Sequence, residues 1–299
     1  MTLDLSRVRP IVRAALREDV GRGDVTSETL IPLPTRARAV IITQERGCLA
    51  GLPVATLAFT LFDRRLRCRL LVREGCCVPS GTPVLQIDGR LRSILGAERT
   101  AINLLGHLSG IATLTREFVR RVRGTRAIIL DTRKTMPGLR CLEKYAVRQG
   151  GGVNHRAHLG EMVLIKSRHL DAIDTLQRRR VVRYHTISRE LIRWAVGRAR
   201  RRAPHHRVQI EVRNLRECEA ALQAHPDLIL LDNMSLAEIR RAVRLRRAAG
   251  ARIPFEVSGR VTLQTVGAQA RTGVERISVG ALTHSARWMD FALRLREDV

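Results

Sequence analysis

Ile129 and Leu130 close a short apolar run, and the chain then turns at once to Asp131, Thr132, Arg133, Lys134 and Thr135. A second polar cluster, Asn154-His155-Arg156, comes just after the glycine run Gly150 to Gly152. Further on, Lys166, Glu211, Asp232, Ser258-Gly259 and Gly280 each end a separate apolar stretch. With Arg99, these residues form a strongly cationic set that contains two isolated carboxylates. Arginine grips carboxylate and phosphate through paired donors, each charge-assisted bond contributing roughly 1.5–3 kcal/mol. Several such groups in one pocket repel one another unless a multiply anionic ligand joins them. Gly259 and Gly280 let backbone N–H groups approach a phosphate. Glu211 and Asp232 suit sugar hydroxyls or a hydrated Mg²⁺, which keeps several of its waters. No Ser/His/Asp or Cys/His signature accompanies them, so positioning and electrostatic stabilisation are expected rather than covalent catalysis. Taken singly, each residue has a plainer reading as a surface cation, a strand-end ion pair, a helix cap or a βα turn. Their recurrence at successive strand ends is what points to a polyanion site.

Those ends must be placed by the elements before them. Apolar strands are predicted at 126–132, 161–166, 208–212, 227–233, 254–259 and 275–280. Helical patterns alternate with them, as at 214–225 and at 235–250, the latter with Ser235 as N-cap and Gly250 at its end. Alternation of this kind predicts a parallel sheet covered on both faces. An open doubly wound sheet gathers its ligand at one switch point, whereas a (β/α) barrel draws on the ends of many strands. Six contributing strands favour the barrel, of class α/β. The first part of the chain mixes short strands, Gly/Pro turns and helices, and reads as a separate α+β domain over residues 1–105, with a hairpin-rich segment at "GCCVPSGTPVLQIDG". A long helical passage then feeds a barrel domain over 106–284. Residues 285–299 are expected to form a helix packing back on the first domain, and a basic insertion is expected near 171–186.

The formal net charge is +26, yet only three of the 54 basic residues are lysines: Lys134, Lys144 and Lys166. Such a preference for arginine is a chain-wide bias rather than a patch built for nucleic acid. Aromatic residues make up only 3%, leaving little platform on which unpaired bases could stack. Where lysine persists, a compact ammonium on a flexible stem is the group required. The six cysteines show no metal-ligand spacing and read as free thiols, and His205-His206 reads as solvated surface. No apolar run is long enough for a membrane span. The N-terminal segment reads as an amphipathic helix rather than a signal or mitochondrial leader, so a cytoplasmic address is expected.

Several longer segments carry a family likeness. "REDVGRGDVTSETL", "AERTAINLLGHLSGIATLTREF", "DTRKTMPGLRCLEKYAVRQGGGVNHR", "EMVLIK", "LILLDNMS" and "ISVGALTHS" resemble, in order and over nearly the whole chain, quinolinate phosphoribosyltransferase, also called nicotinate-nucleotide pyrophosphorylase (carboxylating). The resemblance implies an open α/β barrel with an α+β N-terminal domain. It also implies the reaction of quinolinate with phosphoribosyl pyrophosphate to give nicotinate mononucleotide, CO₂ and pyrophosphate, with Mg²⁺, in NAD biosynthesis. It further implies a homodimer, the choice between dimer and hexamer staying open, in which Arg99 reaches quinolinate from the partner subunit. Arg133, His155, Arg156 and Lys166 would hold the two carboxylates beside Thr132, with Lys134 between the dicarboxylate and the pyrophosphate. Glu211 and Asp232 would take the ribose hydroxyls and Mg²⁺. Ser258, Gly259, Arg260 and the turn Gly280-Ala281-Leu282 would take the 5′-phosphate. The chain departs from the family pattern at Ser167-Arg168-His169, where Asp-Asn-His is usual, at Arg260, where a glycine is usual, and in a longer connection between His169 and Glu211. These departures keep two alternatives open: a paralogue acting on another pyridine or phosphosugar, and a basic nucleic-acid-binding protein.

Overall fold

The computed structural model describes residues 3–178 and 187–296. In chain order the first elements are α1 (Leu5–Val20), α2 (Val25–Leu30), β1 (Arg36–Thr43), β2 (Gly47–Cys48), α3 (Leu52–Phe62), β3 (Arg67–Leu70), β4 (Cys77–Val78) and β5 (Pro83–Arg90). The long helix α4 (Leu91–Arg121) leads to β6 (Ile128–Leu130), α5 (Arg140–Gln149), β7 (Val163–Ile165), α6 (Ser167–Arg178) and α7 (Arg189–Arg202). There follow β8 (Val208–Val212), α8 (Leu215–Ala224), β9 (Leu228–Asp232), α9 (Leu236–Ala248), β10 (Phe255–Ser258) and α10 (Val266–Ala270). The chain closes with β11 (Arg276–Ser278), α11 (Ala281–His284) and β12 (Phe291–Arg296). It divides into two compact units: Met1–Glu117 with Lys134–Gly152 and Leu282–Val299, and Phe118–Arg133 with Val153–Ala281. The chain thus returns twice to the first unit, at Lys134–Gly152 and at Leu282–Val299.

The first unit is built on an antiparallel sheet of order β12-β1-β5-β3. Helix α1 is capped by Asp4, whose carboxylate accepts from Ser6 N, and buries Val8, Val12 and Leu16 on one stripe. The first part of α4 repeats the device over a longer span, with Ile94, Ala97, Ala101, Leu105, Leu108 and Ile111 all buried. Three expectations are corrected here. The helix expected at 285–299 is instead the strand β12, paired antiparallel with β1 from Arg38↔Arg296 to Thr43↔Phe291. Its sequence FALRLR alternates with period two from Leu293 onward, which suits an edge strand and not a helix. The segment read as hairpin-rich does not close on itself: β4 pairs with β2, and β5 pairs with β1 and β3. That β2–β4 pairing sets Cys48 opposite Cys77, and the two form a disulfide rather than free thiols. Cys68, Cys76, Cys141 and Cys218 are free.

The second unit holds a six-stranded parallel sheet of order β6-β11-β10-β9-β8-β7. All six strands predicted from the sequence are present, and β8 matches its predicted bounds. Helix α9 starts on a capping box, Ser235 accepting from Glu238 N while the Glu238 side chain accepts from Ser235 N. β6 and β7 are the two ends of the sheet, so the barrel is open. A bridge between Leu130 and Val153 lays the segment after Gly152 along the free edge of β6. Of the basic insertion expected near 171–186, residues 179–186 lie outside the described residues, and the part through Arg178 belongs to α6.

Candidate active site

In the parallel sheet, alternate residues share a face. On β8, Val208, Ile210 and Val212 are buried on the outer face, leaving Gln209 and Glu211 on the inner one. The register then places the inner face of each neighbour. Ser258 stands opposite Asp232, Glu256 opposite Arg276, and Leu164 opposite Gln209. Continuing each strand by one inner position, Lys166, Glu211, Asp232 and Ser258 stand at the C-terminal ends, with Gly280 and Thr132 following β11 and β6. Register alone therefore brings these six sequence-predicted residues to one rim.

Below that rim the lumen carries a polar layer that the sequence reading did not single out. Glu256 is fully buried and accepts hydrogen bonds from Arg276 Nε at 3.0 Å and from the Ser278 hydroxyl. His155 Nε2 lies 3.3 Å from Glu256 and 3.2 Å from Gln209 Oε1. Burial alone pushes the Glu256 carboxyl upward. Hydrogen bonds from His155 and the Ser278 hydroxyl, together with the charge of the Arg276 guanidinium, outweigh it, and the group falls to about 2. A carboxylate so held remains charged, and it serves as the anchor of the lumen. The available signal was a lone acid on the inner face of the otherwise apolar "PFEVSG".

The anchor fixes the 153–156 segment. Asp131, fully buried at the end of β6, accepts from Asn154 Nδ2 at 2.6 Å and from His155 N at 2.8 Å. His155 Nδ1 accepts from Arg156 N at 2.8 Å. Both ring nitrogens of His155 thus have protein partners. The side chain is a strut crossing the lumen from the free edge of β6 to β8 and β10. Arg156, also buried, donates from Nη1 to Met162 O at 3.1 Å. Burial, and then the neighbouring charge of Arg133, push its guanidinium below the usual arginine range. Two cations held close enough to disfavour each other are what an anionic ligand relieves.

The strand-end carboxylates differ in their surroundings. Glu211 Oε1 accepts from Ser167 Oγ at 2.8 Å and Ser167 N at 3.2 Å, so the residue that departs from the family pattern is a partner of a predicted ligand. Asp232 Oδ2 accepts from Asn233 Nδ2 at 3.0 Å. Lys166 and Arg168 are exposed, and His169 Nδ1 accepts from Lys166 N at 3.0 Å. After β10 the backbone turns through left-handed conformations at Gly259 (φ 97°) and Arg260 (φ 48°), beside Asn233 (φ 53°). A Cβ at Gly259 would meet the Asn233 side chain, with Cγ at 2.5 Å, which explains the glycine. No such freedom is available to Arg260, which holds a strained backbone in an exposed position.

Of the remaining predicted residues, Arg99, Lys134 and Leu282 belong to the first unit. Arg99 is exposed on α4, on the face opposite its buried stripe. Lys134 is exposed, and its carbonyl accepts from Thr283 Oγ1 at 2.7 Å. Leu282 is fully buried, so only its main chain is available to a ligand. Ala281 opens α11 in the other unit. Among the described residues there is no cluster of three or more His, Cys, Asp or Glu able to enclose a metal ion. Glu211 and Asp232 suit a cation that keeps most of its water. Among the described residues no helix is long and apolar enough to cross a membrane.

Fold and rim together define an open (β/α) barrel with charged and polar side chains gathered at its strand ends. Comparison with known proteins is in agreement. Family models for the N-terminal and C-terminal domains of quinolinate phosphoribosyl transferase match residues 24–109 and 111–294. The nicotinate-nucleotide pyrophosphorylase [carboxylating] of Mycobacterium leprae is 39% identical, with 98% of each chain covered. A probable nicotinate-nucleotide pyrophosphorylase [carboxylating] of Synechocystis is 37% identical, covering 96% of this chain and 92% of that one. The solved nicotinate-nucleotide pyrophosphorylase of Francisella tularensis superposes with a TM-score of 0.87 at 34% identity, covering 99% of this chain and 98% of that one. That of Ehrlichia chaffeensis gives 0.86 at 32%, covering 99% and 100%. The chain belongs to the quinolinate phosphoribosyl transferase family, and it is a phosphoribosyltransferase of NAD biosynthesis.

Proposed function

We propose that this chain joins quinolinate to phosphoribosyl pyrophosphate at the rim described above, each residue acting through charge and placement. Arg133, Arg156 and Lys166 take the two carboxylates of quinolinate, with Thr132 beside them and His155 acting as the strut that aims Arg156. Lys134, next in sequence to Arg133, serves the pyrophosphate end. Glu211 and Asp232 hold the ribose hydroxyls and hydrated Mg²⁺, which supplies charge neutralisation to the pyrophosphate when bound. Ser258, Gly259 and the main chain of Gly280-Ala281-Leu282 receive the 5′-phosphate.

The pyridine nitrogen attacks the ribose carbon as the bond to pyrophosphate breaks, and positive charge develops at that carbon. Cations on the carboxylates and acids at the ribose align the two reactants, which converts an encounter into a positioned reaction. Decarboxylation follows: the ring-to-carboxylate bond breaks, CO₂ departs, and the electron pair left on the ring carbon, stabilised by the adjacent positive nitrogen, takes up a proton. The working unit is a homodimer in the cytoplasm, with Arg99 supplied by the partner subunit.

The observation that carries this reading is the common register of Lys166, Glu211, Asp232 and Ser258 on one inner face, beside the mutually repelling Arg133 and Arg156. Titration of quinolinate into wild type and Arg156→Gln tests the assignment of the dicarboxylate. Loss of binding in the variant supports it, and unchanged affinity refutes it. Mixing the separately inactive variants Arg99→Ala and Lys134→Ala tests the shared site. Recovered activity supports supply in trans, and its absence, with exchange of subunits demonstrated, refutes it.

A further inference from the structure

The segment that follows Lys134 is held by a buried pair that the reaction as described does not use. Glu143, on α5, is fully buried, and its carboxylate accepts from Met136 N at 3.4 Å and 3.2 Å through its two oxygens. His107, on α4, is itself almost fully buried, and its Nε2 lies 3.0 Å from Glu143 Oε1. The His107 ring is tilted against Trp288, with centroids 5.7 Å apart. Nδ1 of His107 is buried and has no hydrogen-bond partner among the described residues. Nε2 therefore carries the proton that Glu143 accepts.

Leaving a carboxylate in a dry interior costs several kcal/mol unless it is paired. Other bonds also hold this loop, among them Thr283 Oγ1 on the Lys134 carbonyl and Arg140 Nε on Thr135 Oγ1 at 2.9 Å. The buried pair differs from these in holding the main chain itself from the interior, only two residues after Lys134. A long, flexible ammonium stem is aimed only as well as the backbone beneath it.

We infer that His107 and Glu143 are positioning residues for Lys134, setting the backbone from which its ammonium reaches the leaving pyrophosphate. The inference rests on the assignment of Lys134 to the pyrophosphate end. Glu143→Gln keeps an acceptor for Met136 N and can donate its amide to His107 in the other tautomer. Glu143→Leu and His107→Leu remove the tether while keeping apolar volume. The double variant His107→Leu/Glu143→Leu leaves no unpaired buried charge and guards against simple misfolding.

The test measures kcat, product inhibition by inorganic pyrophosphate and calorimetric binding of quinolinate on the full-length variants, with Lys134→Ala as reference. We expect the Leu variants and the double variant to lose kcat and pyrophosphate affinity together, by on the order of 10- to 100-fold, as for misplaced catalytic groups generally. Glu143→Gln should stay close to wild type, and quinolinate affinity should hold in all of them. Wild-type pyrophosphate inhibition in the double variant overturns the inference, as does a parallel loss of quinolinate binding, the mark of general damage. If Lys134→Ala itself keeps wild-type pyrophosphate affinity, the assignment of Lys134 fails, and the inference falls with it.

Discussion

Glu256→Gln should remove the anchor of the barrel lumen while leaving its shape almost unchanged. The carboxyl falls from an ordinary 4.5 to about 2 on folding. At roughly 1.4 kcal/mol per pH unit, that difference makes the ionised form worth about 3 kcal/mol to the folded state near neutrality. Because the folded value is the depressed one, the contribution is fully present above about 4.5 and is lost as the pH falls toward about 2. Urea unfolding of wild type and variant should therefore differ by about 3 kcal/mol at about pH 7 and by only about 2 kcal/mol at about pH 3.5. The amide also turns a donor toward His155 Nε2 or Arg276, so quinolinate affinity should fall with stability as Arg156 loses its aim. A gap below about 1 kcal/mol at neutrality, or one that does not narrow with acid, would refute the view that this charge ties the lumen together.

Arg260→Gly should raise unfolding free energy by about 1 kcal/mol, since glycine adopts the left-handed conformation without the steric cost borne by other residues. No gain in a chemical unfolding curve would count against strain at this turn. Gly259→Ala should do the opposite and weaken phosphoribosyl pyrophosphate binding, because the added methyl meets Asn233 in the adjoining βα turn. A wild-type KM for that substrate would contradict the phosphate assignment. Lys134→Arg keeps the charge and should still lose more than about 10-fold in kcat, because a planar guanidinium cannot replace a compact ammonium. Activity within about threefold of wild type would show that charge alone suffices.

The rim was legible in the sequence because short apolar strands, alternating with helices and each ending in a polar residue or glycine, announce both the sheet and its working end. Lys166, Glu211, Asp232 and Ser258 fell where that pattern put them. The lumen was harder to read, since Gln209, Glu256, Arg276 and Ser278 lie on three strands, β8, β10 and β11, and only register brings them together beneath His155. His155 itself was assigned by resemblance to a ligand role, and local sequence gives no hint that both ring nitrogens are already engaged. The Cys48–Cys77 pairing depends on β2 meeting β4 across 29 residues, which spacing could not show. β12 was misread because only its last four residues, Leu293 to Arg296, alternate, a run too short to outweigh a helical reading of the segment.

The central claim is a reaction, and incubation of the purified chain with quinolinate, phosphoribosyl pyrophosphate and Mg²⁺ tests it most directly. Nicotinate mononucleotide, CO₂ and pyrophosphate should appear in equal amounts, with nicotinate failing to replace quinolinate. Turnover of nicotinate without release of CO₂, or no product from wild type under conditions where both substrates bind, would contradict the account.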